Sequence, residues 1–513
     1  MEHPLSDHDL NRSSGKDLYA RVTHLASMDW RNQSHAFSAA VGAYGEAIQA
    51  RRVFHQYLST IRPTSWQGPL VHYNSWYDFT SWQDQSFFDP QRAATVQQSL
   101  WLKQLLAELS QDQMNETAAI KKIHIFNDEL GKRGVRIDSF LWDDGWDDPQ
   151  RGMWAFNVDR FPDGFDNLAR VADERNCSNG IWLSPWGGYG KAKDVRVAEA
   201  KRQGLEVNER FEEKTWGDFL ESDLKFTAAA ASFRHKAAVN LFKFDGIAGD
   251  PTEVPGEIEA MLSFSHSLRQ VVDSIWRGHR DVLAFSADER CIISAAIVQR
   301  ARFFPIARLM IHGTVLSKHG DARALGLHIA NELDWAQEVW SHASLGLLLQ
   351  ELYISPDLMD PGRWDVLAEA LRWARDHHST LEDMHWAVGS GCGQEPYGWA
   401  AWRDGLGFLT LRNPTASRLK TELFRLKDAF ELPLNGPVQL EYRVVKRFAG
   451  SSSPSWQCSS LQGGKKATGH QGSCLVILEQ QTQVSLDAAE LLILEFGAPS
   501  GPEHEILSTR TDL

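Results

Sequence analysis

Three short runs of the sequence put acids where they could act on a substrate. Trp142-Asp143-Asp144-Gly145-Trp146 closes an apolar stretch with two adjacent carboxyl groups. Lys243-Phe244-Asp245 sets a cation and an acid two residues apart, so both side chains project to one side if the run is a strand. Trp276-Arg277-Gly278-His279-Arg280-Asp281 is the third. Paired carboxyl groups suit acid–base work at one bond, or acceptance of hydrogen bonds from hydroxyl donors. An ammonium at Lys243 can hold Asp245 in its charged form and bond hydroxyl groups itself. Blander readings stand beside these: Asp245 as a strand cap, Lys243 as a solvated side chain, and Trp142, Trp146, Trp182 and Trp186 as core rather than pocket walls. A metal site at Asp143 and Asp144 would need more ligands than the sequence offers.

The elements around these residues alternate. PLVHYNSWYDF from Pro69 starts as an apolar, β-prone run, and helical spacing follows near Ala93–Leu109 and Ala118–Lys132. VRIDSFLW, NGIWLSP and AAVNLFKF read as further buried strands, each ending in acids, Pro or Gly, with LMIHGTVL and LLLQELYIS later in the chain. Strands alternating with helices predict a parallel α/β fold. Apolar groups from Ser34 to Ile61 have helical spacing and read as a connector. Beyond about Gly389 the character changes: EPYGWAAW, LGFLTLRNP, TELFRLKDAFEL, VQLEYRVVKRF, SCLVILEQQ and ELLILEF are short strand candidates of an antiparallel β-sandwich, with a Ser/Gly-rich loop among them.

Composition narrows the function. A formal net charge of −14 argues against nucleic acid as a partner, because phosphate binding rests on clustered cations. The 20 Trp supply flat apolar faces suited to the C–H faces of sugar rings. Five cysteines, at 177, 291, 392, 458 and 474, form no C-x-x-C pair and no zinc spacing and read as structural thiols; a Cys458–Cys474 bridge is open if the compartment is oxidising. No run is long enough to span a bilayer, so no membrane partner is expected, and the start carries no apolar leader. The expected location is cytoplasmic, or secreted or periplasmic if the N-terminus has been shortened. The number of subunits stays open.

The WDDGW, KFD and W-R-x-x-x-D runs, with NSWYDF (Asn74 to Phe79), RFPDGF (Arg160 to Phe165) and FFPIARLMIHG (Phe303 to Gly313), resemble the glycoside hydrolase clan of the α-galactosidases and α-N-acetylgalactosaminidases, families 27 and 36. The resemblance covers roughly Pro69 to Trp402 and implies a (β/α)₈ barrel of the TIM type at 67–386, between a helical connector at 1–66 and the β-sandwich at 387–513. It implies a retaining hydrolase of terminal α-galactose-type sugars, working without metal or organic cofactor on a carbohydrate substrate. On this reading Asp245 is the nucleophile and Asp281 the acid/base, with Asp288 and Glu289 as rivals for the second role. Asp143 and Asp144 take the 4- and 6-hydroxyl groups, Arg277 the 2-hydroxyl, and Lys243, Trp146 and Trp186 line the sugar site. A galactosyl transferase of raffinose-synthase type and a non-catalytic sugar-binding relative are the alternatives.

The chain also departs from that pattern. Only 35 residues separate Asp245 from Asp281, whereas two β-α-β crossovers need on the order of 50 to 60. A barrel strand, the fifth, is therefore expected to be missing. Family 36 relatives carry a large β-sandwich before the barrel, so a shortened N-terminus is expected as well.

Overall fold

The computed structural model describes residues 8–13, 17–22, 47–61, 68–79, 113–184, 187–188, 190–204, 207–208, 219–220, 239–245, 303, 305–311, 313–318, 331–390, 395–450, 457–462, 465–466 and 474–498. The first strands, β1 (His8–Ser13) and β2 (Asp17–Val22), pair antiparallel with Leu10 opposite Ala20. This strand pair is a feature that the helical reading of the N-terminal region does not contain. Helix α1 (Ala50–Ile61) forms the second half of the expected helical stretch.

Six strands build one sheet: β3 (Leu70–Asn74), β4 (Ser139–Trp142), β5 (Ser178–Leu183), β8 (Val239–Phe244), β9 (Val315–Leu316) and β10 (Leu349–Ile354), in the order β8-β5-β4-β3-β10-β9. Strands β8 and β5, β3 and β10, and β9 and β10 pair in parallel. Every residue of β4 and β10 is buried, without the in–out alternation of a half-exposed strand, as parallel strands covered on both faces require. In chain order four of the six strands, β3, β4, β5 and β8, precede residue 246, and β9 and β10 follow residue 302. Residues 246–302, where the missing fifth strand is expected, lie outside the described residues.

Helices fill the crossovers. Among them are α2 (Glu116–Gly131), α3 (Asp166–Glu174), α4 (Gly190–Arg202) and α5 (Glu332–Ala343), and α6 (Pro361–Asp376) follows the last strand of the sheet. α3 buries Leu168, Val171 and Ala172, one face of a helix at i, i+3, i+4. α5 starts where the Asn331 side chain accepts the N–H groups of Leu333 and Asp334, and α6 where Asp360 accepts that of Arg363 with Pro361 in the first turn. Between α4 and β8, β6 (Val207–Asn208) and β7 (Phe219–Leu220) form a short antiparallel pair. Gly180 explains how β5 fits between its neighbours: a Cβ there would meet the side chains of Leu141 and Leu241, each at 3.1 Å.

The C-terminal part is antiparallel. β11 (His385–Val388), β12 (Tyr397–Arg403) and β13 (Leu406–Arg412) join β16 (Gln439–Phe448), β17 (Lys465–Lys466), β18 (Cys474–Ile477) and β21 (Leu491–Gly497) in one sheet of order β11-β12-β13-β21-β16-β18-β17. Two further pairs, β14 (Leu419–Lys420) with β20 (Ser485–Leu486) and β15 (Phe424–Arg425) with β19 (Gln481–Thr482), share its core of Leu409, Leu411, Leu426, Phe430, Leu492, Leu494 and Phe496. This is the architecture of a C-terminal β-sandwich. TELFRLKDAFEL is not a single strand, however. After the two residues of β15 it turns into a helical turn at Leu426–Ala429, because Leu426, Ala429 and Phe430 reach the core together only at helical spacing. Cys458 and Cys474 are disulfide-bonded, the bridge that the sequence left open, with Cα atoms 5.5 Å apart.

The chain divides into two compact units, one of Met1–Val41, Phe79–Lys121 and Phe140–Ile275, the other of Gly42–Asp78, Lys122–Ser139 and Trp276–Leu513. In the second, α1 is tied down by charge: Arg51 and Arg52 each place Nη2 at 2.8 Å from an oxygen of Asp383, and Arg51 Nε donates to Glu431 at 2.9 Å. No helix among the described residues is long and apolar enough to cross a membrane.

Candidate active site

The candidate site lies in the first unit, where β4, β5 and β8 end. Asp143 and Asp144 directly follow β4, and the Asp144 N–H donates to Asp143 Oδ1 at 2.8 Å. Gly145 then turns the chain with a positive φ of 123°, a conformation costly for any residue with a Cβ. One step beyond β8, the Asp245 N–H donates to the Leu183 carbonyl at 2.9 Å, so this acid is held at the strand end by one more rung of the ladder. Two residues back, Lys243 projects on the same side. Its Nζ donates to Asp143 Oδ2 at 2.7 Å and stands 3.9 Å from Asp245 Oδ2. A single ammonium thus spans the acids of two strands 100 residues apart in sequence.

Trp182, on β5 between them, fixes Asp245 from a third direction: its Nε1 donates to Asp245 Oδ2 at 2.9 Å. All four polar residues are buried, with relative exposures of 1% for Asp143, 3% for Asp144, 9% for Lys243 and 4% for Asp245. Charge in such a place persists only when paired and hydrogen-bonded. Asp245 meets that condition with an indole N–H and an ammonium nearby, an arrangement able to present an oriented carboxylate to an electrophilic carbon.

Asp144 is balanced differently. Arg196, from α4, donates through Nη2 to Asp144 Oδ1 at 2.6 Å and to Asp147 Oδ1 at 2.7 Å, and through Nε to Asp147 Oδ2 at 3.0 Å. Burial pushes the Asp144 carboxyl up to about 6; the Arg196 charge pulls against this, while Asp147 and Asp143 add to it. For Arg196, burial favours loss of the proton, but Asp144 and Asp147 outweigh it and raise its pKa. Asp144 Oδ2 is buried and has no hydrogen-bond partner among the described residues. Such an orphaned acceptor suits a ligand hydroxyl.

No protein-family model matches the sequence, and no curated protein matches it. Solved structures do match. A Bacillus halodurans protein provisionally assigned as an α-N-acetylgalactosaminidase aligns with 85% of this chain and 99% of its own, at 12% identity and a TM-score of 0.51. A Lactobacillus brevis α-galactosidase aligns with 89% of this chain at 12% identity and a TM-score of 0.53. A variant of the family 36 α-galactosidase AgaA of Geobacillus stearothermophilus, in complex with 1-deoxygalactonojirimycin, aligns with 88% at 12% identity and a TM-score of 0.52. The fold is that of the α-galactosidase and α-N-acetylgalactosaminidase clan. The chain spans nearly all of the first of these structures but only 59% of the length of each of the other two.

Of the residues that the resemblance to this clan singles out, Asp143, Asp144, Lys243 and Asp245 come together in one buried cluster. Trp146 is fully buried behind it: its Nε1 donates to the Trp182 carbonyl at 2.9 Å, and its ring packs on Phe156 and Phe165. Trp142 is likewise enclosed, donating to Asn179 Oδ1 at 3.0 Å. Trp186, Arg277 and Asp281 lie outside the described residues, as do Asp288 and Glu289. Sequence reasoning missed Arg196 and Asp147, and it took Trp182 for a wall rather than a donor to Asp245. The one signal for Arg196 was electrostatic: four acids within Asp143–Asp148 need a counter-charge, but nothing local says which cation supplies it. Among the described residues no group of three or more His, Cys, Asp or Glu is arranged to hold a metal ion.

Proposed function

We propose that the chain is a glycosidase that removes terminal α-galactose-type residues with retention of configuration, through a (β/α)₈-type barrel at 67–386 followed by the sandwich at 387–513. The observation that carries this reading is the Asp245 carboxylate at the end of β8, oriented by the Trp182 N–H at 2.9 Å with the Lys243 ammonium 3.9 Å away. In double displacement Asp245 attacks the anomeric carbon as the aglycone oxygen takes a proton from Asp281. A glycosyl ester forms, and Asp281 then deprotonates the water that hydrolyses it. Arg277 binds the 2-hydroxyl and Trp186 walls the sugar. Asp143, Asp144 and Lys243 bind hydroxyl groups, and such readout discriminates strongly because the wrong sugar leaves buried acids unpaired. The substrates and inhibitors named for the clan's solved members, raffinose, stachyose and 1-deoxygalactonojirimycin, support carbohydrate as the partner.

The test is hydrolysis of an aryl α-galactoside beside inactivation by a 2-fluoro galactosyl fluoride. Turnover lost in Asp245→Asn, with the label found on Asp245 by peptide mass spectrometry, supports the reading. A label on another residue removes Asp245 from the nucleophile's role. Galactose binding without turnover in the unaltered protein overturns hydrolysis in favour of a sugar-binding relative.

A further inference from the structure

Arg196 is completely enclosed, and its surroundings are too specific for a neutralising charge alone. Besides Asp144 and Asp147 it donates through Nη1 to the Gly187 carbonyl at 3.0 Å, and its guanidinium carbon sits 5.0 Å from the centre of the Trp182 ring and 5.5 Å from that of Trp154. The backbone makes room for it. Gly188 has a φ of 88°, and a Cβ there would lie 2.7 Å from Arg196 Nη1 and 2.8 Å from the Trp182 ring. The bidentate pair with Asp147 would suffice to bury one guanidinium. Adding Asp144 sets two carboxyl groups on one cation, and a buried surplus of negative charge is a cost that stability alone does not explain.

The arrangement has a directional consequence. Arg196 occupies Asp144 Oδ1, whereas Oδ2 keeps its acceptor capacity without a partner among the described residues. We infer that Arg196, anchored by Asp147, is a positioning residue that clamps the Asp144 carboxyl so that Oδ2 is the oxygen offered to one hydroxyl donor of the sugar. Arg196 touches no substrate in this scheme; it acts through Asp144. Lysine cannot replace it, because one ammonium lacks the planar fork that engages both acids at once. The inference rests on the glycosidase reading above.

The experiment is steady-state hydrolysis of 4-nitrophenyl α-galactopyranoside by the full chain, its Arg196→Lys variant and its Asp147→Asn variant, from pH 4 to 8, with folding followed by circular dichroism. Arg196→Lys is expected to raise KM about tenfold or more while kcat stays within about threefold, the signature of lost binding rather than lost chemistry. Asp147→Asn removes one of the two like charges facing Asp144, the other being Asp143, while Arg196 faces it with the opposite sign. It is expected to move the acid limb of kcat/KM to lower pH, which a merely structural role would not do. A folded Arg196→Lys with KM within about twofold of the parent overturns the inference. If that variant does not fold, an unmoved acid limb in Asp147→Asn overturns it instead. A parent protein that neither hydrolyses the galactoside nor binds galactose in a titration overturns the glycosidase reading and the clamp together, whereas an active parent with indifferent variants sinks the clamp alone.

Discussion

Replacing Lys243 by methionine keeps an unbranched side chain only one atom shorter and deletes the charge that joins the two strand ends. At an effective dielectric of about 20, the 2.7 Å contact with Asp143 corresponds to roughly 6 kcal/mol of attraction and the 3.9 Å separation from Asp245 to roughly 4. Most of that is offset by the cost of stripping water from the ammonium, so the net penalty for breaking the cluster is about 3 to 5 kcal/mol, the usual figure for removing one partner of a buried pair. The direction does not depend on the exact dielectric, because Lys243→Met leaves Asp143 and Asp245 buried without the cation between them. The assay is equilibrium urea unfolding followed by both indole fluorescence and circular dichroism, with Asp143→Asn as the second arm of a double-mutant cycle. On the Lys243→Met background, Asp143→Asn is expected to be better tolerated than on the parent by at least about 1 kcal/mol, since it removes one of the two like charges that the ammonium had joined. A Lys243→Met penalty below about 1 kcal/mol would refute the reasoning, because that is the worth of a solvent-exposed pair.

Three other outcomes follow from the same geometry. Burial, with Asp147 and Asp143 adding to it against Arg196, raises Asp144 from 3.8 to about 6, so the folded state holds its proton more tightly than the unfolded state does. Its contribution to stability is therefore full below pH 3.8 and is lost as pH rises to about 6. Asp144→Asn should consequently gain on the parent across that window in chemical unfolding at stepped pH, and a constant difference would contradict the assignment. Trp182→Phe removes the N–H bond to Asp245 at 2.9 Å; a hydrogen bond to a charged group is worth about 1.5 to 3 kcal/mol, so under the proposed glycosidase function kcat on an activated aryl galactoside should fall by about 10- to 150-fold, and an unchanged kcat would show that the bond does not serve that reaction. Asp383 is buried, which pushes its carboxyl up, but Arg51 and Arg52 outweigh that and hold it well below the usual range. It therefore stabilises the fold above the unfolded value of 3.8 and loses that contribution as pH falls. Asp383→Asn should cost about 3 to 5 kcal/mol near neutrality and less in acid, measured by calorimetry.

Much of the scaffold was legible in the sequence because it is local. Apolar runs bounded by acids, Pro and Gly marked β3, β4, β5, β8 and β10, and turn-punctuated strands marked the C-terminal sheet. The β1–β2 pair escaped notice because HDLNRS and DLYARV hold no sustained apolar run or alternation, and Leu426–Ala429 because a single helical turn inside a strand-like run cannot be told from a strand by period alone.

The sequence by itself determined that Lys243 and Asp245 share one side of a strand and that Asp143 and Asp144 close another, since a period of two is a property of neighbouring residues. Only the tertiary structure decided that the Lys243 ammonium reaches Asp143 across 100 positions, that the Trp182 indole turns its N–H onto Asp245, and that Arg196 takes one oxygen of Asp144 and leaves the other. Those choices follow from which strands lie side by side and from the cost of leaving a buried charge alone, and neither is written in the spacing of residues along the chain.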